Sequence, residues 1–572
     1  MNLKLFFLFI VFFSVNMVFA DETIVVPVYQ GYVDVNKKLI VVNYDVNYIN
    51  AGSNDDFNAI FVDQLYSFEV PQETMQVGVA YHVHNNQDTQ YTLYFTELPI
   101  IYILASEYIL NEPKVHALFI MAEPSGDILI SDIGIERRGG SSLYYPKSNF
   151  LIEFWSDSQG TEKVDVSLLN MRTDDDWNLQ ALWVEPMRVR TKVCNDLWMS
   201  FHTPYYANVE PDVVSGIHSE FAEILVNGVY CGVYAVTERI DRKQLQLKDY
   251  SQSQGVRGEL YKGQQWGEGV SFLSLEDYNN NELMWSGFEY IYPEEITDWS
   301  NLHAFVDFVV NSSNQVFYQQ YRSKFNLQSA VDYFVFLNLI MALDNTGKNI
   351  FIARYAKNEP YIYVPWDMDG SFGNFWDGSP HYGTSSILSN GFFNRMIHDC
   401  SDNGFYFAAQ QRWQELRQDV FTHENIMQLF RENHDFLLNN AVYEREEKAW
   451  GTYYTYTDEY LNYVDTWLTT RLAKLDDYFS RPCESYGAEQ FANSSTVFVY
   501  PNPAVDKVSL VVSDIQPNAS VTFVNTMGQP VYSEELFQTE TQINLNCLYP
   551  GMYTVLVNNN SQVTTLRLLI TP

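Results

Sequence analysis

Residues 341–373 read MALDNTGKNIFIARYAKNEPYIYVPWDMDGSFG. The stretch closes an apolar run of helical texture, SAVDYFVFLNLIMAL, and crosses a polar loop. It then enters two short runs, IFIARY and YIYVPW, joined by AKNEP. Isoleucine, tyrosine and valine in runs of this length, bounded by polar turn residues, predict a β-hairpin. A second polar loop follows, Asp367-Met368-Asp369-Gly370. Asp344 and Asn349 bracket the first loop; Asp367 and Asp369 stand in the second. Such residues are ordinary in turns and caps, and Asp-x-Asp-Gly also occurs in calcium loops. An EF-hand reading fails, because Ser371 stands where a third acidic ligand is needed and Phe372 where the turn needs glycine.

On the N-terminal side, residues 21–97 read as strands: IVVPVYQGYVDV, KLIVVNYDVNYI, MQVGVAYHVH and QYTLYFTELP, punctuated by AGSNDD. From Leu98, strand-like runs (IYIL, HALFIMA, DILISDIGIE, NFLIEFW) lead to a segment of helical spacing near 177–203. Two strands follow, with Asn227-Gly228 between them as a tight hairpin turn. From about residue 299 the pattern turns helical, and after the hairpin a long helical stretch covers 403–479. There Leu461, Val464, Leu468, Leu472, Leu475 and Phe479 recur every three or four residues, one buried stripe of a helix. RPCESYGAEQFANSST (481–496) has no apolar period and reads as a linker. Residues 497–572 are short strands split by turns such as Met527-Gly528 and Pro550-Gly551.

A chain of 572 residues is expected to hold two to four domains. At its start, Lys4 precedes the apolar run LFFLFIVFF, and Val18-Phe19-Ala20 precedes Asp21. That is the grammar of a cleaved secretory signal peptide over residues 1–20. The run is too short to cross a bilayer, which takes about 20 apolar residues. Thirty-four basic against 71 acidic residues leave a net charge of −37. Such a surface repels nucleic-acid phosphates and anionic lipid, so neither is an expected partner. An anionic ligand would need local basic groups or a bound cation. Five cysteines (Cys194, Cys231, Cys400, Cys483, Cys547) show no zinc or redox spacing, and mostly buried, unpaired thiols are expected. The lack of a histidine cluster counts against zinc.

Several motifs occur in a fixed order: LPIIYI; Arg138-Gly139-Gly140-Ser141-Ser142 with Pro146-Lys147; VNGVYCGVYAVTERID; Leu260-Tyr261-Lys262; Asp344-Asn345 with Asn349; Pro365-Trp366-Asp367-Met368-Asp369; and Trp467, Arg471 and Leu475-Asp476. Over about residues 98–480 the chain thereby resembles the CotH kinase family of atypical protein kinases. VYPNPAVDKVSLVV, FVNTMGQPVY and LYPGMYTVLVNNN resemble the type A sorting domain of the type IX secretion system. Together these imply an α+β fold class: a divergent two-lobed protein-kinase-like core at 98–480, preceded by a small β-module at 21–97. A C-terminal immunoglobulin-like β-sandwich at 497–572 follows the linker. The chain has no Gly-x-Gly-x-x-Gly loop, no His-Arg-Asp and no Asp-Phe-Gly, so any kinase chemistry rests on position.

Phosphoryl transfer needs metal held at the triphosphate and a group that orients the attacking hydroxyl. Asp-x-x-x-x-Asn is a kinase catalytic-loop spacing. The resemblance implies Asp344 as the catalytic aspartate, with Asn349 and Asp367 holding Mg²⁺, Asp369 as a further ligand or turn-former, and ATP as the phosphoryl donor. It makes Lys147 the candidate for the α- and β-phosphates, Lys262 a second phosphate candidate, and Glu238 the Lys-pairing or adenine-side acid. Arg138 stands in the same phosphate-side motif. The bland alternatives are a surface strand lysine at 147, a structural carboxylate anchor at Arg138, and a surface ion pair of Glu238 with Arg239 or Arg242. The expected function is an exported, Mg²⁺-dependent Ser/Thr protein kinase acting on surface or secreted proteins. A catalytically silent surface scaffold of the same fold is the alternative, and a hydrolase using Asp367 and Asp369 as metal ligands is a third. Expected partners are a protein substrate and the secretion machinery, and the expected location is the outer surface or the medium.

Overall fold

The computed structural model describes residues 23–52, 55–484, 497–500, 502, 504–512, 515–525, 529–559 and 562–571. The expected signal peptide 1–20, most of the linker, Pro501, Pro503 and the turn 526–528 lie outside the described residues. The chain is α+β, built of several sheets and a helical body.

Strand Leu39–Val42 is buried at every residue. Successive strand side chains point to opposite faces, so its sheet has two buried faces. Ile40 and Val42 enter one core with Ile60, Val83, Leu93 and Phe95. Leu39 and Val41 enter another with Tyr94, Ile100, Leu225, Tyr230 and Ala441. This N-terminal β-module has seven strands, ordered Thr23–Val25, Phe57–Phe61, Leu65–Gln72, Tyr81–His84, Gln90–Phe95, Leu39–Val42, Gly31–Asp34. Its second core seats it on the following sheet. Buried hydrogen bonds cross that seam, from Asn43 Nδ2 to Ala122 O at 2.7 Å and from Tyr230 N to Asp34 Oδ2 at 2.9 Å.

The following sheet closes into a barrel. Its strands run Ile128–Arg138, Asn149–Trp155, Asp176–Gln180, Val229–Thr237, Ser219–Val226, Ile100–Ala105, Val115–Ala122 and back to the first. Alternate residues, among them Ile101, Phe119, Ile133, Ile152, Trp177 and Val236, fill its interior, which is therefore packed. Asn227 and Gly228 both take positive φ, as a two-residue hairpin turn requires. The expected helix at 177–203 is split. Trp177–Gln180 belongs to a barrel strand with Trp177 and Leu179 in the core, and the helix runs only over Arg190–Phe201.

A five-stranded sheet follows, ordered Met284–Trp285, Phe288–Tyr292, Glu259–Gly263, Ile350–Arg354, Tyr361–Pro365. Helix Leu327–Ile340 packs on its last strand and is buried all round from Ser329 onward. A helix buried on every face belongs at the centre of a body. Helices Phe405–Leu416 and Glu459–Ser480 flank it. On the latter helix, Val464, Leu468, Leu472, Leu475 and Phe479 are buried as the stripe predicts, and Arg471 is buried among them. Its guanidinium satisfies the carbonyls of Asn338, Thr384 and Ser386.

The cysteine expectation is corrected in part. Cys400 and Cys483 form a disulfide, while Cys194 is free and buried, Cys231 half-buried and Cys547 exposed. Such a bond suits an oxidising compartment. The C-terminal strands form two sheets. One holds Val497–Tyr500, Lys507–Val512 and Glu540–Asn544, the other Pro530–Glu535, Ser520–Val524, Gly551–Asn559 and Gln562–Ile570. Val508, Leu510, Ile543, Val521, Val555 and Leu568 from both sheets share one core. Among the described residues no helix is long and apolar enough to cross a membrane.

Candidate functional site

The hairpin Ile350–Arg354 and Tyr361–Pro365 pairs Ile350 with Pro365. That register sets Asn349 beside Trp366 and brings both acidic loops to one end of the sheet. Buried Asn345 ties them together. Its Nδ2 donates to Asn349 O at 2.8 Å and to Trp366 O at 2.7 Å. Asn349 N donates to Gly263 O at 2.8 Å, and Phe372 N to Ile340 O at 2.7 Å. Asn349 and Asp367 sit at φ 53° and 55°. Asn and Asp tolerate this left-handed conformation better than most residues.

Three carboxyl groups gather here. Burial pushes the Asp369 carboxyl well above the usual range, and Asp367 and Asp344 push it further. Burial also raises Asp344, against the pull of Lys348. The Lys348 ammonium stands 3.7 Å from Asp344 Oδ2. Two cations face the trio from neighbouring strands. Arg138 ends strand Ile128–Arg138, stacks 5.2 Å from the Trp366 ring and feels Asp367; burial brings its guanidinium down to about 10. Lys262, on strand Glu259–Gly263, is lowered by burial, raised by Glu289 and Asp367, and lowered by Arg138. Beyond Arg138, Gly139 takes φ 126° with Ser142 Oγ crowding the place of a Cβ, while Gly140 has nothing within 4 Å of where a Cβ would stand, so only Gly140 is open.

Of the residues singled out from sequence, Asp344, Asn349, Asp367, Asp369, Arg138 and Lys262 thus share one neighbourhood. Lys147 does not join them. It is 0% exposed, and its Nζ donates to Glu446 Oε1 and Val233 O, both at 2.6 Å. Burial lowers it to about 8. Neither reading of Lys147 from sequence describes this position: it is no surface lysine, and it has no open path to phosphate. The other oxygen of Glu446 takes Arg188 Nη2 at 2.9 Å. Burial opposes the charge on Glu446, but Lys147 and Arg188 hold its carboxyl below the usual range.

The Lys-pairing role expected of Glu238 therefore falls to Glu446, which the sequence reading missed. Glu238 is buried and accepts from His218 N and Nδ1, both at 3.0 Å, and from Gln244 Nε2 at 3.1 Å. Its alternative partners are engaged elsewhere, Arg239 with Asp176 and Arg242 with Asp249. Lys348 was missed as well, although it stands four residues after Asp344.

The donor set of the two loops is all oxygen, as hard divalent cations prefer. Asp344 and Asp367 raise the proton affinity of Asp369 there, a crowding of negative charge that a bound cation would relieve, so these oxygen donors suit a hard cation such as Mg²⁺. Tighter acidic groups exist elsewhere among the described residues: Glu153 with Asp175 and Asp176, and Asp165 with Asp174 and Asp175, each within 4.8 Å. Lys114, Lys163, Lys243 and Arg172 already pair with them. A surface depression lined by Trp413, Arg417 and Asp476 holds none of the site residues.

Comparison with known families gives two matches. CotH kinase protein matches residues 135–475, more than half of the chain. The chain belongs to the CotH kinase family. That membership implies use of ATP. The secretion system C-terminal sorting domain matches residues 498–571, the two-sheet unit at the end of this CotH protein. A type IX sorting tail implies engagement with that secretion machinery, export, and a surface or secreted location. No curated protein matches the chain.

Proposed function

We propose that this CotH protein is an exported, Mg²⁺-dependent protein kinase that transfers the terminal phosphoryl group of ATP to Ser or Thr of surface or secreted proteins. The observation that carries the reading is the convergence of Asp344, Asn349, Asp367 and Asp369 at one hairpin end, held by Asn345 and faced by Arg138 and Lys262. On this reading the barrel with its N-terminal sheet is one lobe and the helical body the other, and the tail is an immunoglobulin-like sandwich.

Asp367, Asp369 and Asn349 are the residues to hold Mg²⁺, which when bound offsets charge on the phosphates. Asp344 accepts a hydrogen bond from the attacking hydroxyl and aligns it. Arg138 and Lys262 offset phosphate charge from the opposite strands, and the turn at Gly140, open on its Cβ side, offers backbone N–H to it. Lys147, paired with Glu446, supports the barrel wall.

The test is transfer of labelled phosphate from ATP to a panel of protein acceptors by the purified chain with Mg²⁺. Label incorporation is expected to need the metal and to fall at least about a hundredfold in Asp344→Asn, the scale on which positioned acid–base groups act. Incorporation that survives this substitution contradicts the assignment.

A second reading has one observation in its favour. The lysine expected at the phosphates is sealed in the interior, which suits a surface scaffold that keeps the family's shape without its chemistry. Absence of both nucleotide binding and transfer would support it.

A further inference from the structure

Helix Arg190–Phe201 lies beneath the second acidic loop. Cys194 on this helix places its Sγ 3.2 Å from Ser371 Oγ and 3.9 Å from Met368 O. Arg190 stands one turn earlier on the same helical face. Burial pushes the Cys194 thiol up to about 12, against the pull of the Ser371 hydroxyl and the Arg190 guanidinium. Burial also raises the Tyr463 hydroxyl, and Arg190 again opposes it. That hydroxyl donates to Gly373 O at 2.8 Å. The guanidinium therefore sits under Ser371 to Asn374, the stretch that follows Asp367 and Asp369.

Donors outnumber acceptors at this spot. Arg190 is 1% exposed. Its Nη1 donates to Glu185 Oε1 at 2.7 Å, but Nε and Nη2 have no hydrogen-bond partner among the described residues. Asn374 is 5% exposed, and its Nδ2 has none either. Glu185 is already committed: its oxygens also take Met187 N at 2.9 Å, Val189 N at 2.6 Å and Arg190 N at 3.3 Å. Gly373 O is used twice, by Tyr463 and by His381 N at 2.6 Å. Buried polar groups are ordinarily hydrogen-bonded, and a guanidinium or amide N–H is satisfied only by an acceptor.

Charge points the same way. Although the chain as a whole is strongly acidic, the interior here holds three cations, Lys147, Arg188 and Arg190, against two carboxylates, Glu446 and Glu185. Arg188 joins the two groups, since its Nη1 donates to Glu185 O at 3.1 Å. Among the described residues, Arg190 makes an ion pair with Glu185 alone. A water would bring two hydrogens of its own to a place short of acceptors. An anion accepts only, and it balances the odd cation.

We infer that Arg190 and Asn374 hold a small monovalent anion of the halide class between helix Arg190–Phe201 and the loop at Ser371–Asn374. The anion fixes that loop from beneath, and with it the turn that carries Asp367 and Asp369. This site needs no nucleotide and stands whether or not the chain transfers phosphate.

The experiment prepares and crystallises the full purified chain with bromide in place of chloride, and records anomalous scattering at the bromine edge. A bromide peak bridging the Arg190 guanidinium and the Asn374 amide is expected. Density there without anomalous signal, as water would give, or no density at all, overturns the inference. A second measurement compares melting temperatures in sodium chloride and sodium gluconate at equal ionic strength, which holds general screening constant. Wild type is expected to melt higher in chloride, and higher still as chloride is raised, by linkage. Arg190→Gln and Asn374→Leu are expected to lose that chloride-dependent shift. Should Arg190→Gln fail to fold, Asn374→Leu decides alone: a shift equal to that of wild type overturns the assignment. Wild-type melting that is indifferent to chloride overturns it as well.

Discussion

Gly232 carries no side chain because Glu446 needs the space. A Cβ there would stand 1.9 Å from Glu446 Oε1, and the residue sits at φ 91°. Through that gap Glu446 reaches Lys147, Arg188 and the Val233 N–H, all in the interior. Two cations and one anion so placed are strongly interdependent, because removing the anion leaves buried charge uncompensated. Glu446→Ala is expected to cost about 3–5 kcal/mol of stability, read from denaturant midpoints; a loss below about 1 kcal/mol contradicts the account. In sequence, Glu446 lies in Val442–Trp450, VYEREEKAW, whose charges resemble a solvated helix face. Its role depends on a barrel strand more than two hundred residues earlier in the chain. Nothing local announces that. Lys147 was recognisable as a motif residue, but its burial was not, since burial belongs to the barrel wall as assembled.

Between elements, the hairpin was the legible part. Its Ile, Tyr and Val runs and its polar bounds placed both acidic loops in order along the chain. The loops meet because of register, Ile350 against Pro365, and because Asn345 bonds to both. Asn345 looks in sequence like any polar loop residue. The segment 177–203 was misjudged because Trp177 and Leu179 satisfy a strand's alternation as readily as a helical period over so few residues. The Cys400–Cys483 bond was missed because pairing needs two ends brought together in space. It joins the loop before helix Phe405–Leu416 to the end of helix Glu459–Ser480, closing 83 residues of chain. Replacing both cysteines with serine is expected to lower stability by about 2–4 kcal/mol, measured by thermal or denaturant unfolding. An unchanged midpoint would show that helical packing alone fixes that end.

At the scale of the molecule, a chain of net charge −37 offers ATP little general attraction. On the proposed reading, binding comes from the few cations collected at one place, Arg138, Lys262 and Lys348, and from a cation that Asp367 and Asp369 would hold. The sorting unit touches this region: Arg567 Nη1 on its last strand stands 2.5 Å from Asp377 Oδ2, in the loop that follows Asp367 and Asp369. An exposed pair of this kind adds at most about 1 kcal/mol, so the unit is expected to leave the site's affinity to the core. The most direct measurement is the melting temperature of the purified chain with Mg²⁺ and millimolar ATP, compared with Asp367→Ala under the same conditions. A ligand at a hundredfold excess over its Kd stabilises by about 2.7 kcal/mol. The account predicts a clear upward shift that requires Mg²⁺ and vanishes in Asp367→Ala. No shift in the wild-type chain, or an equal shift in the variant, contradicts a nucleotide site at these loops.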